Sequence, residues 1–127
     1  MTTNLEFMVP LPSPLVGGKN RGNWAAIMEA IEGFRAEVTV TALDIDSDAF
    51  FHDPKIHLEW RVLPAGMPGV PTPVDYRDLA VPERFSRYVR QGLRDAGVID
   101  SPRCAVTEEV IEVDRGEQGL LIVVKER

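Results

Sequence analysis

The sequence predicts one α/β (α+β) domain spanning residues 1–127, with strands and two main helices in the order β-α-β-α-β-β around a mixed sheet. Three observations predict it. Residues 55–63, KIHLEWRVL, alternate between polar and apolar, the period of a half-buried strand. Trp24, Ile27, Met28, Ile31, Phe34 and Val38 recur at spacings of three and four, one face of a helix. The last quarter of the chain holds two strand-forming runs divided by a short turn-forming stretch. A chain of 127 residues is one domain by size. It loses about two-thirds of its unfolded surface on folding.

Taken in order, LEFMV (5–9) is a short apolar run ended by Pro10 and reads as a strand. PLPSPLVGGKNRG is too rich in proline and glycine for regular structure. Asn23 is a good N-cap for the first helix, expected over about residues 24–43. Gly33 and the β-branched run VTVT weaken the second half of that helix. DIDSDAFFHDP reads as an acidic loop, and KIHLEWRVL as the clearest strand. PAGMPGVPTP is a proline-rich loop. A second helix is expected from Pro82, acceptable in a first turn, to Ala96, with Gly97 as its C-cap. CAVTEEVIEV and GLLIVVK then read as two strands joined through DRGEQ as a hairpin. There is no internal repeat and no low-complexity tract.

Composition narrows the class. At 44% hydrophobic and 27% charged residues the chain is neither disordered nor fibrous. Cys104 is the single cysteine, so no disulfide forms within the chain, and a reducing, cytoplasmic setting is expected. MTTNLEFMVPLPSP lacks a basic n-region and a long apolar stretch, so a signal peptide is not expected. No apolar run approaches the ~20 residues of a membrane span, and no membrane partner is expected. A net charge of −6 argues against whole-surface attraction to nucleic acid. The charge is uneven, however. Residues 36–60 carry six acids against Lys55 alone, whereas residues 61–103 carry seven arginines against five acids. A locally basic face is compatible with that distribution.

The second helix is the most informative element. At 100° per residue, Phe85, Tyr88, Val89, Gly92, Leu93 and Ala96 share one face, and Arg87, Arg90 and Arg94 cluster opposite, with Arg84 at the edge. The arginines form either a solvated polar face or a stripe that contacts phosphate, which the guanidinium fork pairs bidentately. Other motifs are weaker. DIDSD begins like an EF-hand loop, but Ala49 and Lys55 stand where that loop needs glycine and glutamate. A looser metal site among Asp44, Asp46, Asp48, His52 and Asp53 competes with a solvated loop. VGGKN lacks the spacing and hydroxyl of a phosphate-binding loop. His57 falls on the polar face of its strand, His52 in a loop, and two histidines without a cysteine pair do not suggest zinc. Cys104 reads as a structural thiol, and Ser13, Ser86 and Ser101 sit in no nucleophile motif.

Three aspartates complete the list. Asp75 and Asp78 lie where the chain enters the second helix, and Asp100 lies just past its end. On local grounds Asp78 is a helix cap and Asp100 opens a turn at DSPR. The ends of one helix lie far apart, at about 1.5 Å per residue. Asp78 and Asp100 therefore meet only across a dimer or where the chain folds back.

The element order, MVPLPSP in the opening strand, KIHLEWRVLP, and above all GLRDAGVIDSPR before the closing strands give the chain a resemblance to RusA-type Holliday junction resolvases of phages and prophages. It covers about residues 5–125. The resemblance implies a homodimeric, Mg²⁺-dependent endonuclease of four-way DNA junctions in the cytoplasm of a bacterial host. In the family, carboxylates before the second helix and after the Ala-Gly turn hold Mg²⁺, which activates water and stabilises charge on the phosphate. Carried over, Asp78 matches the first motif aspartate and Asp100 one member of the later pair, with Asp75 as a further ligand. The second aspartate falls on Ala80, the asparagine on Val81, the lysine on Arg87 and the helix aspartate on Gln91. An alternative alignment sets Glu83 and Arg84 at the Asp-Asn position and gives up Asp78.

The departures fall on the chemistry while the helix and turn persist. The resemblance thus implies a RusA-like protein that binds branched DNA, or a host protein, without efficient cleavage. The other reading is an active Mg²⁺-dependent endonuclease using Asp78 and Asp100, with Arg84, Arg87, Arg90 and Arg94 on DNA phosphates.

Overall fold

A computed structural model of the chain describes residues 4–11, 24–64, 85–100, 104–114 and 116–127. The fold is mixed α+β, with strands β1 (Asn4–Val9), β2 (Pro54–Val62), β3 (Ala105–Glu112) and β4 (Gly119–Glu126) and helices α1 (Trp24–Ile45) and α2 (Ser86–Asp95). The sheet order is β1-β4-β2-β3. β4 is antiparallel to both its neighbours, and β2 and β3 are parallel. β1, β2 and β3 therefore run the same way, and each parallel step is made by a helical crossover, as parallel strands require.

Alternation along the strands sends one set of side chains into the core. Leu5, Phe7 and Val9, then Leu120, Ile122 and Val124, then Ile56, Leu58, Trp60 and Val62 form adjoining buried rows. α1 closes over them with Ile31, Phe34, Val38 and Ala42, and α2 with Phe85, Val89, Leu93 and Ala96. Aromatic edges lock the layers together. The Phe85 ring lies 4.7 Å from Phe34 and 5.5 Å from both Trp60 and Tyr88, centroid to centroid. Both helices cover the same face of the sheet, and the opposite face is outward.

The β-branched run that weakens α1 by propensity is used in packing. Val38 is fully buried, and the Thr39 hydroxyl lies 2.9 Å from both the Arg35 and Gly92 carbonyls, one within α1 and one on α2. Burial of an amphipathic face outweighs a few tenths of a kcal/mol of propensity per residue. α1 thus extends to Ile45, two residues past the expected end.

α2 ends where expected. Gly97, at φ 77°, closes a Schellman turn in which Val98 N–H donates to the Leu93 carbonyl and Gly97 N–H to the Arg94 carbonyl, both at 3.0 Å. The turn drives Val98 and Ile99 into the core, and the Val98 carbonyl accepts from Phe51 N–H at 2.9 Å. The expected start at Pro82 lies outside the described residues; the helix spans Ser86–Asp95.

The expected closing hairpin does not form. β3 pairs with β2, and β4 inserts between β1 and β2. The chain between them steps over the end of β2, where Val113 N–H donates to the Val62 carbonyl at 2.8 Å, and turns through Gly116 at φ 99°. The physical reason is composition. AVTEEVIE carries charge and suits an edge, whereas GLLIVV carries none.

Gly92 allows the closest approach of the two helices. A Cβ there would stand 2.9 Å from the Val38 Cβ and Cγ1 and 3.1 Å from the Arg35 carbonyl oxygen. Gly92→Ala is expected to destabilise the fold by about 1–3 kcal/mol in urea unfolding. Gly33 is exposed on α1, with open space where a Cβ would go. Gly33→Ala is expected to stabilise by about 0.5–1 kcal/mol.

Candidate functional site

The residues singled out by sequence separate into three groups. Asp75, Asp78 and Arg84, with Glu83, lie outside the described residues. Arg87, Arg94 and Asp100 are exposed. Arg90 is not: it is only 7% exposed and belongs to the interior.

Arg87 and Arg94 project from the outer side of α2. The Arg87 guanidinium carbon lies 4.9 Å from the centroid of the Tyr88 ring, a cation–π distance that restrains the side chain without consuming its donors. Arg94 stands in the last turn of the helix, where a cation complements the negative end of the helix dipole. Arg90 sits one step round the helix from the buried face. Its Nη1 reaches the Cys104 carbonyl, at the threshold of β3, at 3.4 Å. The expected stripe of phosphate-contacting arginines is therefore corrected for Arg90. Its guanidinium ties α2 to the strand that follows, and helical periodicity alone does not distinguish a solvated arginine from one tucked under an edge strand.

Asp100 is presented outward by the turn that buries Val98 and Ile99. Among the described residues no cluster of three or more histidine, cysteine, aspartate or glutamate side chains is placed to hold a metal ion. The acidic stretch 44–53 is organised by its own backbone. Asp44 lies in the last turn of α1, and Asp46 Oδ1 accepts from Asp48 N–H at 3.0 Å, an Asx turn. Cys104 is half-buried and forms no disulfide within the chain.

Three contacts near this region had no sequence signal. Arg35 of α1 pairs with Asp95 of α2 at 3.1 Å, the Glu126 carboxylate accepts from His52 and Asp53 N–H at 3.0 Å each, and the Trp60 indole N–H donates to Glu108 at 3.3 Å. Each joins residues distant in sequence, and the partner is defined only by strand register and helix placement.

No family model matches the chain, and no curated protein is significantly similar to it. No helix among the described residues is long and apolar enough to cross a membrane.

The two arginine environments predict different outcomes. Arg90→Ala removes a buried donor from the Cys104 carbonyl and leaves a void. It is expected to cost about 1–3 kcal/mol in thermal or urea unfolding. Arg94→Ala is expected to stay within about 0.5 kcal/mol of the parent.

Proposed function

We propose that the chain is a RusA-like protein that binds branched DNA through the exposed face of α2 without cleaving it efficiently. The observation that carries the reading is the presentation of Arg87 and Arg94 on the exposed side of α2, with Arg87 held against Tyr88. A guanidinium restrained this way suits phosphate contacts. The depleted carboxylate set supports loss of cleavage, because Ala80, Val81 and Gln91 stand where the resembled family has Asp, Asn and Asp. Mg²⁺ rests on near-octahedral oxygen ligation, and each missing carboxylate leaves more of that shell to water and substrate. Dimerisation, as in the resembled family, would place two such faces on a two-fold junction.

The test is a labelled four-way junction incubated with the protein and Mg²⁺ or Mn²⁺. The expected result is a gel shift without nicking. Its affinity falls steeply with salt, and the log–log salt slope shrinks by about one for each of Arg87→Ala and Arg94→Ala. Symmetric nicking that disappears in Asp100→Asn would replace this reading with an active Mg²⁺-dependent endonuclease. Neither shift nor nicking would remove DNA as the target and leave a host protein.

A further inference from the structure

We propose that the outward face of the sheet carries a binding site for a small phosphomonoester, held between Lys55 and Lys125 beside His57 and Thr107. This face lies on the opposite side of the sheet from both helices, so the site is independent of the α2 arginines.

Register creates the site. Lys55 of β2 and Lys125 of β4 are direct cross-strand partners, in a row that continues to Asn4 of β1 and Ala105 of β3. Like charges placed directly opposite destabilise a sheet. Among the described residues neither ammonium has a carboxylate within ion-pair distance. Lys55, His57, Thr107, Val123 and Lys125 line a depression of about 230 Å³. The depression is shallow and open to solvent, so it suits a small ligand reached from outside rather than an enclosed one.

The wall beside the lysines is fixed. His57 Nδ1 lies 2.7 Å from Thr107 Oγ1, and Nε2 lies 3.0 Å from Glu109 Oε1. A carboxylate only accepts, so Nε2 carries the proton, and in the neutral ring Nδ1 accepts from the Thr107 hydroxyl. The two ammonium groups are then the donors that remain for a ligand, six N–H bonds on two positive point charges, which suits phosphate.

The surrounding charges select the size of the ligand. Glu6 lies in the next row on β1, and Glu59 and Glu109 lie one row beyond on β2 and β3. Glu59 is partnered by Arg61 at 3.0 Å. A single phosphate between the lysines stands beside Glu6 and the His57-bound Glu109, whereas an extended polyanion would have to cross both carboxylates. The charge pattern therefore fits a small monoester and disfavours a nucleic-acid backbone.

The experiment is an amide NMR titration of the full chain with inorganic phosphate, glycerol phosphate and a short single-stranded oligonucleotide. Saturable shifts are expected at Lys55, His57, Thr107, Val123 and Lys125 with the first two ligands. Lys55→Gln and Lys125→Gln should each weaken binding about tenfold. Both variants should remain folded, because each relieves a like-charge contact. Absence of saturable shifts, shifts unchanged in the double variant, or shifts centred on Arg87 and Arg94 would overturn the site. Tighter binding of the oligonucleotide through the same lysines would overturn the small-ligand assignment. The α2 variants Arg87→Ala and Arg94→Ala should leave phosphate binding unchanged, which keeps this test separate from the junction assay.

Discussion

At Gly92 a hydrogen stands where any other residue carries a Cβ, and α2 uses that gap to lie against Val38 and the Arg35 carbonyl of α1. The consequences run along both helices. Thr39 reaches the Gly92 carbonyl, Arg35 reaches Asp95, and Phe34 and Phe85 come within 4.7 Å. Phe85 in turn lies against Trp60 of the central sheet. A wider helix spacing would loosen the aromatic stack and the buried rows of β1, β4 and β2 beneath it, because protein interiors are close-packed and a displaced layer is not refilled.

That tight pair fixes what α2 can present. Its inner side is committed to Val89, Leu93 and Ala96, and Arg90 is drawn in beside them. The outer side is left with Arg87 and Arg94. The Schellman turn at Gly97 then returns Val98 and Ile99 to the core and leaves Asp100 outside. Asp100 is exposed just past the Schellman turn, and the DSPR turn that it was expected to open lies outside the described residues. In the preceding segment Asp75, Asp78 and Glu83 are carboxylates, whereas Ala80 and Val81 supply none.

Local signals carried most of the elements. The alternation in 55–63, the three-and-four spacing of α1 and the glycine that stops α2 all have periods shorter than one helix or strand, and each is visible without knowing its partner. The sheet order was not visible in the same way. DRGEQ looks like a hairpin turn, but turn chemistry says only that the chain reverses, not which strand it reverses beside. The charge in AVTEEVIE did carry part of the missing information, since a charged strand suits a sheet edge. The site was legible to the same degree. Helical periodicity separated the arginines from the core face but misassigned Arg90, whose burial depends on where β3 begins. The lysine pair of β2 and β4 is invisible until the register is known, because Lys55 and Lys125 lie 70 residues apart in the sequence.

The proposed function rests on a resolvase-like scaffold with too few carboxylates to assemble a metal centre. The most direct measurement is a Mn²⁺ titration of the ¹⁵N-labelled protein, free and with a four-way junction, read as paramagnetic broadening of each amide. The account predicts weak, non-saturating broadening spread over the acidic segments, with no concentration at Asp100. Saturable broadening focused on Asp78 and Asp100, abolished by Asp100→Asn, would contradict it.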